Sequence, residues 1–131
     1  MSASIELTVP FHDVDGLRVV WHGNYFKYLE LARTELMRVH RLDVPDLMEL
    51  GLHMMVVDAH CRYMRPLRYG ERVRVTARFV DFDQRIVVAY DLYSVTHDRR
   101  VARARTVLVT TTPAGELLME TPDAIRSRIV A

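Results

Sequence analysis

The chain has one cysteine in 131 residues, so it cannot close an internal disulfide, and a stapled secreted scaffold is excluded. A reducing cytoplasm is the expected home. Charge of one sign is also lacking. The 18 Lys and Arg against 17 Asp and Glu leave a formal +1, without the basic excess of an electrostatic nucleic-acid binder. Long apolar runs are missing too. Stretches such as Met54 to Val57 are far short of the roughly 20 residues a membrane helix needs. Met1 to Pro10 shows no basic segment leading into an apolar one, so no signal peptide is expected. The five glycines and five prolines fall singly, with no linker or repeat. One domain over residues 1–131 is the expectation.

What is present is periodicity. Ala3, Ile5, Leu7, Val9 and Phe11 alternate with Ser4, Glu6 and Thr8, the period of a half-buried strand. After a polar turn over residues 12–16, Asn24 is placed to cap a helix from Tyr25 to about Arg41. Tyr25, Leu29, Ala32, Leu36 and Val39 share one face of it. A short helix follows from Val44 to Leu50, with Pro45 in its first turn and Gly51 at its end. Four strand-like segments come next, around residues 55–64, 73–79, 86–95 and 102–109, then a weak helix from Pro122. Read as consecutive antiparallel neighbours, they give an α+β domain: a sheet of about five strands curled around one long helix. Its exposed sheet edges would be covered by forming an oligomer.

The densest polar cluster is His12, Asp13, Asp15, Arg18, His22 and Asn24, immediately before the long helix. A helix N-terminus offers unpaired N–H groups and a positive dipole end, which stabilise a developing oxyanion. A carboxylate just upstream can act as base or nucleophile. Asp and Asn before a helix are also ordinary caps. Spacing alone leaves both readings open, although residues 15 to 24 are too far apart for one capping box.

Residues 11–25, Phe-His-Asp-Val-Asp-Gly-Leu-Arg-Val-Val-Trp-His-Gly-Asn-Tyr, resemble the signature of hotdog-fold acyl-CoA thioesterases of the 4-hydroxybenzoyl-CoA type. That branch includes the short-chain enzymes linked to the Tol–Pal system. The pattern is D-x-D-x-x-G-x-V-x-(F/Y/H)-x-N-Y. Ala32-Arg33-Thr34-Glu35, Tyr63-Met64-Arg65-Pro66 and Tyr69-Gly70-Glu71-Arg72-Val73 continue the likeness through nearly the whole chain.

The resemblance implies a hotdog fold and hydrolysis of an acyl-CoA or acyl-carrier-protein thioester by a homodimer or dimer of dimers. CoA or phosphopantetheine would be part of the substrate, with no separate cofactor. Asp15 would be the catalytic carboxylate. His22 would present its backbone N–H to the thioester carbonyl, with a catalytic side chain in the Tol–Pal branch. Tyr25, His60 and Arg85 are the expected substrate contacts. His60 also reads as pore-lining or purely structural, and Arg85 stands where relatives place basic contacts to CoA. The chain departs from the pattern at Gly16-Leu17-Arg18, where the glycine comes early, and at Phe11 and Gly23.

Other chemistries lack their residues. The six histidines show no H-x-H or H-E-x-x-H spacing, so no metal site is expected. No G-x-S-x-G or phosphate-binding glycine loop is present. Cys61 shares parity with Val57 and Ala59 and reads as a small buried side chain. Two rival functions fit the same fold. One is a 3-hydroxyacyl-thioester dehydratase pairing His22 with Glu30 or Glu35. The other is an acyl-thioester-binding protein without catalysis.

Overall fold

A computed structural model describes residues 1–130. Its elements are β1 (Ser2–Thr8), a 3-10 turn (Phe11–Asp13), α1 (Asn24–Val39), α2 (Val44–Glu49), β2 (His53–Tyr63), β3 (Arg72–Asp81), β4 (Ile86–Ser94), β5 (Arg99–Thr111) and α3 (Asp123–Val130). The five strands form one antiparallel sheet in the order β1-β3-β4-β5-β2. This is the curled sheet around one long helix that the hotdog resemblance implies.

Tyr25, Tyr28, Leu29, Ala32, Leu36 and Met37 of α1 are buried. They share one core with Val73, Val75, Ala77 and Phe79 of β3 and with Ile86, Val88, Tyr90 and Leu92 of β4. Alternation along β3 and β4 turns those side chains to the helix and sends Arg72, Arg74 and Arg78 to the outer face. The end of α1 differs from the periodic reading. Val39 is 59% exposed because the helix stops there. His40 is the C-cap and Arg41 takes a left-handed φ of 59°. Leu42 N–H then donates to the Met37 carbonyl at 2.8 Å, and Arg41 N–H to the Arg38 carbonyl at 3.0 Å. Both bonds belong to a Schellman closure, with the buried Leu42 as its apolar contact.

At the front of the chain β1 ends earlier than its alternation suggests. Pro10 cannot donate to a ladder, and the chain folds into a 3-10 turn, with Asp13 N–H donating to the Pro10 carbonyl at 3.2 Å. Phe11 therefore leaves the core and lies edge-on to Tyr69 at the surface.

The consecutive-neighbour reading of the last four strands needs one correction. β3, β4 and β5 do follow one another, but β2 lies at the far edge, beyond β5. Residues 64–71 carry the chain across the end of the sheet from β2 to β3. Three strand steps are about 14 Å, and eight residues reach well beyond that. This strap is tied down by Leu67, which is fully buried. The Leu67 carbonyl accepts from Val20 N–H at 2.8 Å, and Gly70 N–H donates to the Val9 carbonyl at 3.0 Å. It crosses beside the start of α1 and so walls the polar cluster. Edge strand β2 is left with most residues exposed, Met55, Val56 and Val57 among them.

Candidate functional site

Residues 12–23 are organised by Asp13. Its side chain is buried and forms an ion pair with Lys27, while the Tyr28 hydroxyl donates to it at 2.6 Å. Its carbonyl accepts from Trp21 N–H at 3.0 Å and from Asn24 Nδ2 at 3.0 Å. Asn24 is thus not the N-cap expected from sequence. It lies inside the first turn, Gly23 occupies the cap position, and among the described residues no side chain caps the helix. Burial alone would push the Asp13 carboxyl up. The hydrogen bonds from Lys27 and Tyr28, with the Lys27 charge, outweigh it and hold the carboxyl below its ordinary range. Asp13 therefore stays ionised and clamps the loop to α1.

Beyond Asp13 the chain makes a small hairpin, closed by an antiparallel bridge between Val14 and Val20. Asp15 opens its turn. Asp15 N–H donates to the Val19 carbonyl at 2.9 Å, and Arg18 N–H donates to the Asp15 carbonyl at 2.9 Å. One Asp15 carboxylate oxygen accepts Leu17 N–H at 2.8 Å. The other has no partner, and no cation pairs with Asp15, among the described residues. The carboxylate is half-buried, fixed by its own loop, and left with a free acceptor. Arg18 closes the turn at φ 66°, a left-handed conformation that glycine adopts without penalty. The early Gly16 leaves that conformation to an arginine.

The other strand of the hairpin runs through Val20 and Trp21 to His22 and the helix start. Asn24 N–H donates to the Trp21 carbonyl at 2.8 Å and Tyr25 N–H to the His22 carbonyl at 3.3 Å. The N–H groups of His22 and Gly23 have no protein acceptor among the described residues. They are the free donors at the positive end of a 16-residue helix. The Tyr63 hydroxyl donates to the His22 carbonyl at 2.8 Å and so fixes this peptide from the end of β2. Its ring meets Tyr25 edge-on, with centroids 4.7 Å apart. The Trp21 ring lies over Gly23, where an added Cβ would come within 2.1 Å of it. That contact explains a glycine at position 23.

His22 and Tyr25 come together in one cleft of about 280 Å³, walled by Val20, Tyr63 and the strap residues Met64, Arg65 and Pro66. Burial pushes the Tyr25 hydroxyl up to about 12 and raises that of Tyr28 further. Both remain protonated donors at neutral pH. Asp15 is not among the cleft's walls and sits on the hairpin next to it.

The remaining expected contacts lie elsewhere. His60 is exposed on the outer face of β2, opposite Arg105. Arg85 lies at the tip joining β3 to β4, which is the sheet end opposite the His22 cleft, about 30 Å away along the strands. Within one chain the structure joins neither to His22. Burial pushes the Cys61 thiol up, so little thiolate forms there. A larger cavity of about 560 Å³ opens between α1, α2 and β2, with Glu30 and Arg33 at its rim and Met37, Leu47, Met54 and Leu108 within. Sequence reasoning did not single out Tyr63 or the clamping role of Asp13. The signal for Asp13 was its position in an Asp-Val-Asp run 14 and 15 residues before Lys27 and Tyr28, whose pairing only the fold makes.

Comparison with known families decides the relationship. The description "Thioesterase-like superfamily" matches residues 9–129. The chain belongs to the thioesterase-like superfamily. Among relatives of this thioesterase-like protein, it is 30% identical over 98 residues to a "putative esterase" of Aquifex aeolicus, covering 75% of this chain and 76% of that one. It is 32% identical over 101 residues to a 1,4-dihydroxy-2-naphthoyl-CoA hydrolase of Thermosynechococcus vestitus, covering 76% and 68%. A solved structure of a 4-hydroxybenzoyl CoA thioesterase mutant, complexed with 4-hydroxybenzoyl CoA, superposes with a TM-score of 0.86. It is 18% identical and covers 98% of each chain, a likeness of fold.

Proposed function

We propose that this thioesterase-like protein hydrolyses an acyl-CoA or acyl-carrier-protein thioester to the free acid and the thiol. One observation carries the reading. A half-buried carboxylate with a free oxygen, Asp15, stands on the hairpin that leads directly to two unpartnered N–H groups at the start of α1. Those donors polarise the thioester carbonyl and hold the oxyanion when it forms. Asp15 either attacks the carbonyl carbon or takes a proton from the water that does. In the first case the C–S bond breaks to give an anhydride, which water then hydrolyses; in the second it breaks from the water adduct. In both cases the electron pair leaves on sulfur, and the His22 imidazole supplies the proton to the thiolate. CoA or phosphopantetheine belongs to the substrate, and the reaction needs no other cofactor. The expected setting is the cytoplasm; no helix among the described residues is long and apolar enough to cross a membrane.

The catalytic unit in this reading is at least a dimer, and a dimer of dimers is compatible with it. Edge strand β2 exposes Met55, Val56, Val57 and Tyr63, and a long apolar edge calls for pairing. Antiparallel pairing of two copies along β2 would bring the Tyr63 end of one against the His53 end of the other. Each His22 cleft would then face the partner subunit's 560 Å³ cavity, which is lined mainly by apolar side chains suited to an acyl group. The partner subunit's Arg85 would come to the same sheet end. The test is a panel of aromatic, short-chain and long-chain CoA and carrier-protein thioesters, read by free thiol and free acid. Equimolar thiol and acid from at least one class is expected. An enoyl thioester product, or binding without turnover across the panel, would replace this reading.

A further inference from the structure

The geometry points to a second binding site, for a ligand carrying linked phosphates, on the outer face of the sheet. Its floor is Ala89 on β4. Arg78 on β3 and Arg105 on β5 flank that residue in register, and His60 on β2 stands opposite Arg105. One pair along the ladder, Arg62 stands opposite Arg103. These side chains, with the Asp91–Arg100 ion pair at one side, surround a groove of about 380 Å³ on the face turned away from α1. The volume lies in the range of small-molecule sites.

Other arginines on this face have partners. Glu6 holds Arg72 at 2.9 Å, and Asp91 holds Arg100 at 3.3 Å. Arg62, Arg78, Arg103 and Arg105 are all exposed, and none has a carboxylate within 4.0 Å among the described residues. Like charges directly opposite each other in a ladder destabilise the sheet. Here Arg62 faces Arg103; Asp91 stands opposite Arg103 on its other side but is held by Arg100, so the repulsion is only partly offset. An anion bound between them reverses its sign. Strand spacing roots Arg62, Arg103, Arg105 and His60 on a rectangle of about 5 by 7 Å, from which their side chains can reach two joined phosphates. Guanidinium groups grip phosphate oxygens in pairs.

A second copy of this face would set arginine against arginine. The near-neutral whole chain does not suit a long nucleic acid. The phosphates can come from a free nucleotide or from the nucleotide end of CoA. The site stands on residues other than those of the His22 cleft and does not depend on the thioesterase reading.

The experiment titrates the full chain with ADP and with pyrophosphate at low ionic strength by calorimetry. Saturable one-site binding is expected, weakening as salt rises. Arg103→Ser with Arg105→Ser should weaken it at least tenfold, and Arg78→Ser alone by a smaller factor. Because these side chains are exposed and none is in an ion pair among the described residues, the melting temperature of each variant should hold. If ADP raises the KM for an acyl-CoA substrate in proportion to its occupancy, the ligand is the nucleotide end of CoA. If ADP binds and leaves KM unchanged, it is a free nucleotide. No saturable binding of either probe, or binding that the folded double variant retains unchanged, overturns the proposal.

Discussion

Replacing Asp13 by Asn tests whether the loop bearing Asp15 is held by a buried ionised clamp. The substitution keeps the shape and the backbone carbonyl that receives Trp21 and Asn24, and removes only the charge. Lys27 is half exposed and regains water. Tyr28 is buried, and its hydroxyl keeps only a neutral acceptor in competition with the new amide. A hydrogen bond to a charged group contributes roughly 1.5–3 kcal/mol, and a buried group left unsatisfied costs about 1–3 kcal/mol. A loss of about 2 kcal/mol follows. With an unfolding entropy near 2.1 cal/mol/K per residue, that is a fall of about 7 °C in melting temperature for a chain of 131 residues. The clamp also sets a pH dependence. The folded carboxyl lies below its ordinary range, so its stabilisation is complete above the unfolded value and disappears as pH falls through the lower folded one. Differential scanning calorimetry at neutral pH should show the full gap between wild type and Asp13→Asn, and the gap should close in acid. Equal melting temperatures at neutral pH would refute the clamp.

His22→Phe should keep the helix start and its free N–H yet lower kcat at least tenfold; full kcat in the folded variant would leave the imidazole without a role. Arg18→Gly should be neutral or stabilising by up to about 1 kcal/mol, because it relieves a left-handed non-glycine residue, and urea melts should separate it from Arg18→Val, which should destabilise. Light scattering at assay concentration should give a mass of at least twice 15.3 kDa. Val57→Lys in the exposed edge of β2 should lower that mass and the activity together, whereas an active monomer would contradict a site completed by a second copy.

The long helix and the β3–β4 and β4–β5 neighbours could be read from the sequence, because each element buries one face against a single core and short turns join these strands. What could not be read followed from longer-range geometry. The position of β2 depended on the eight-residue strap, which has turn-like composition but crosses the sheet end. Phe11 kept the parity of β1, yet Pro10 had already ended the ladder. Asn24 is a common capping residue, and only the fold shows its amide committed to the Asp13 carbonyl. The polar cluster itself was legible as a site because residues 12–24 concentrate carboxylates and histidines before an apolar helix. Sequence separation gave no hint that Tyr63, 41 residues on, fixes the His22 carbonyl.

Single-turnover hydrolysis of an accepted acyl-CoA by wild type and Asp15→Asn tests the central claim most directly. Asn keeps the oxygen that receives Leu17 N–H, so the hairpin and melting temperature should be preserved. The account predicts a loss of on the order of 10² or more in rate, the effect of removing a nucleophile or general base. A folded Asp15→Asn protein that turns over at the wild-type rate would contradict it.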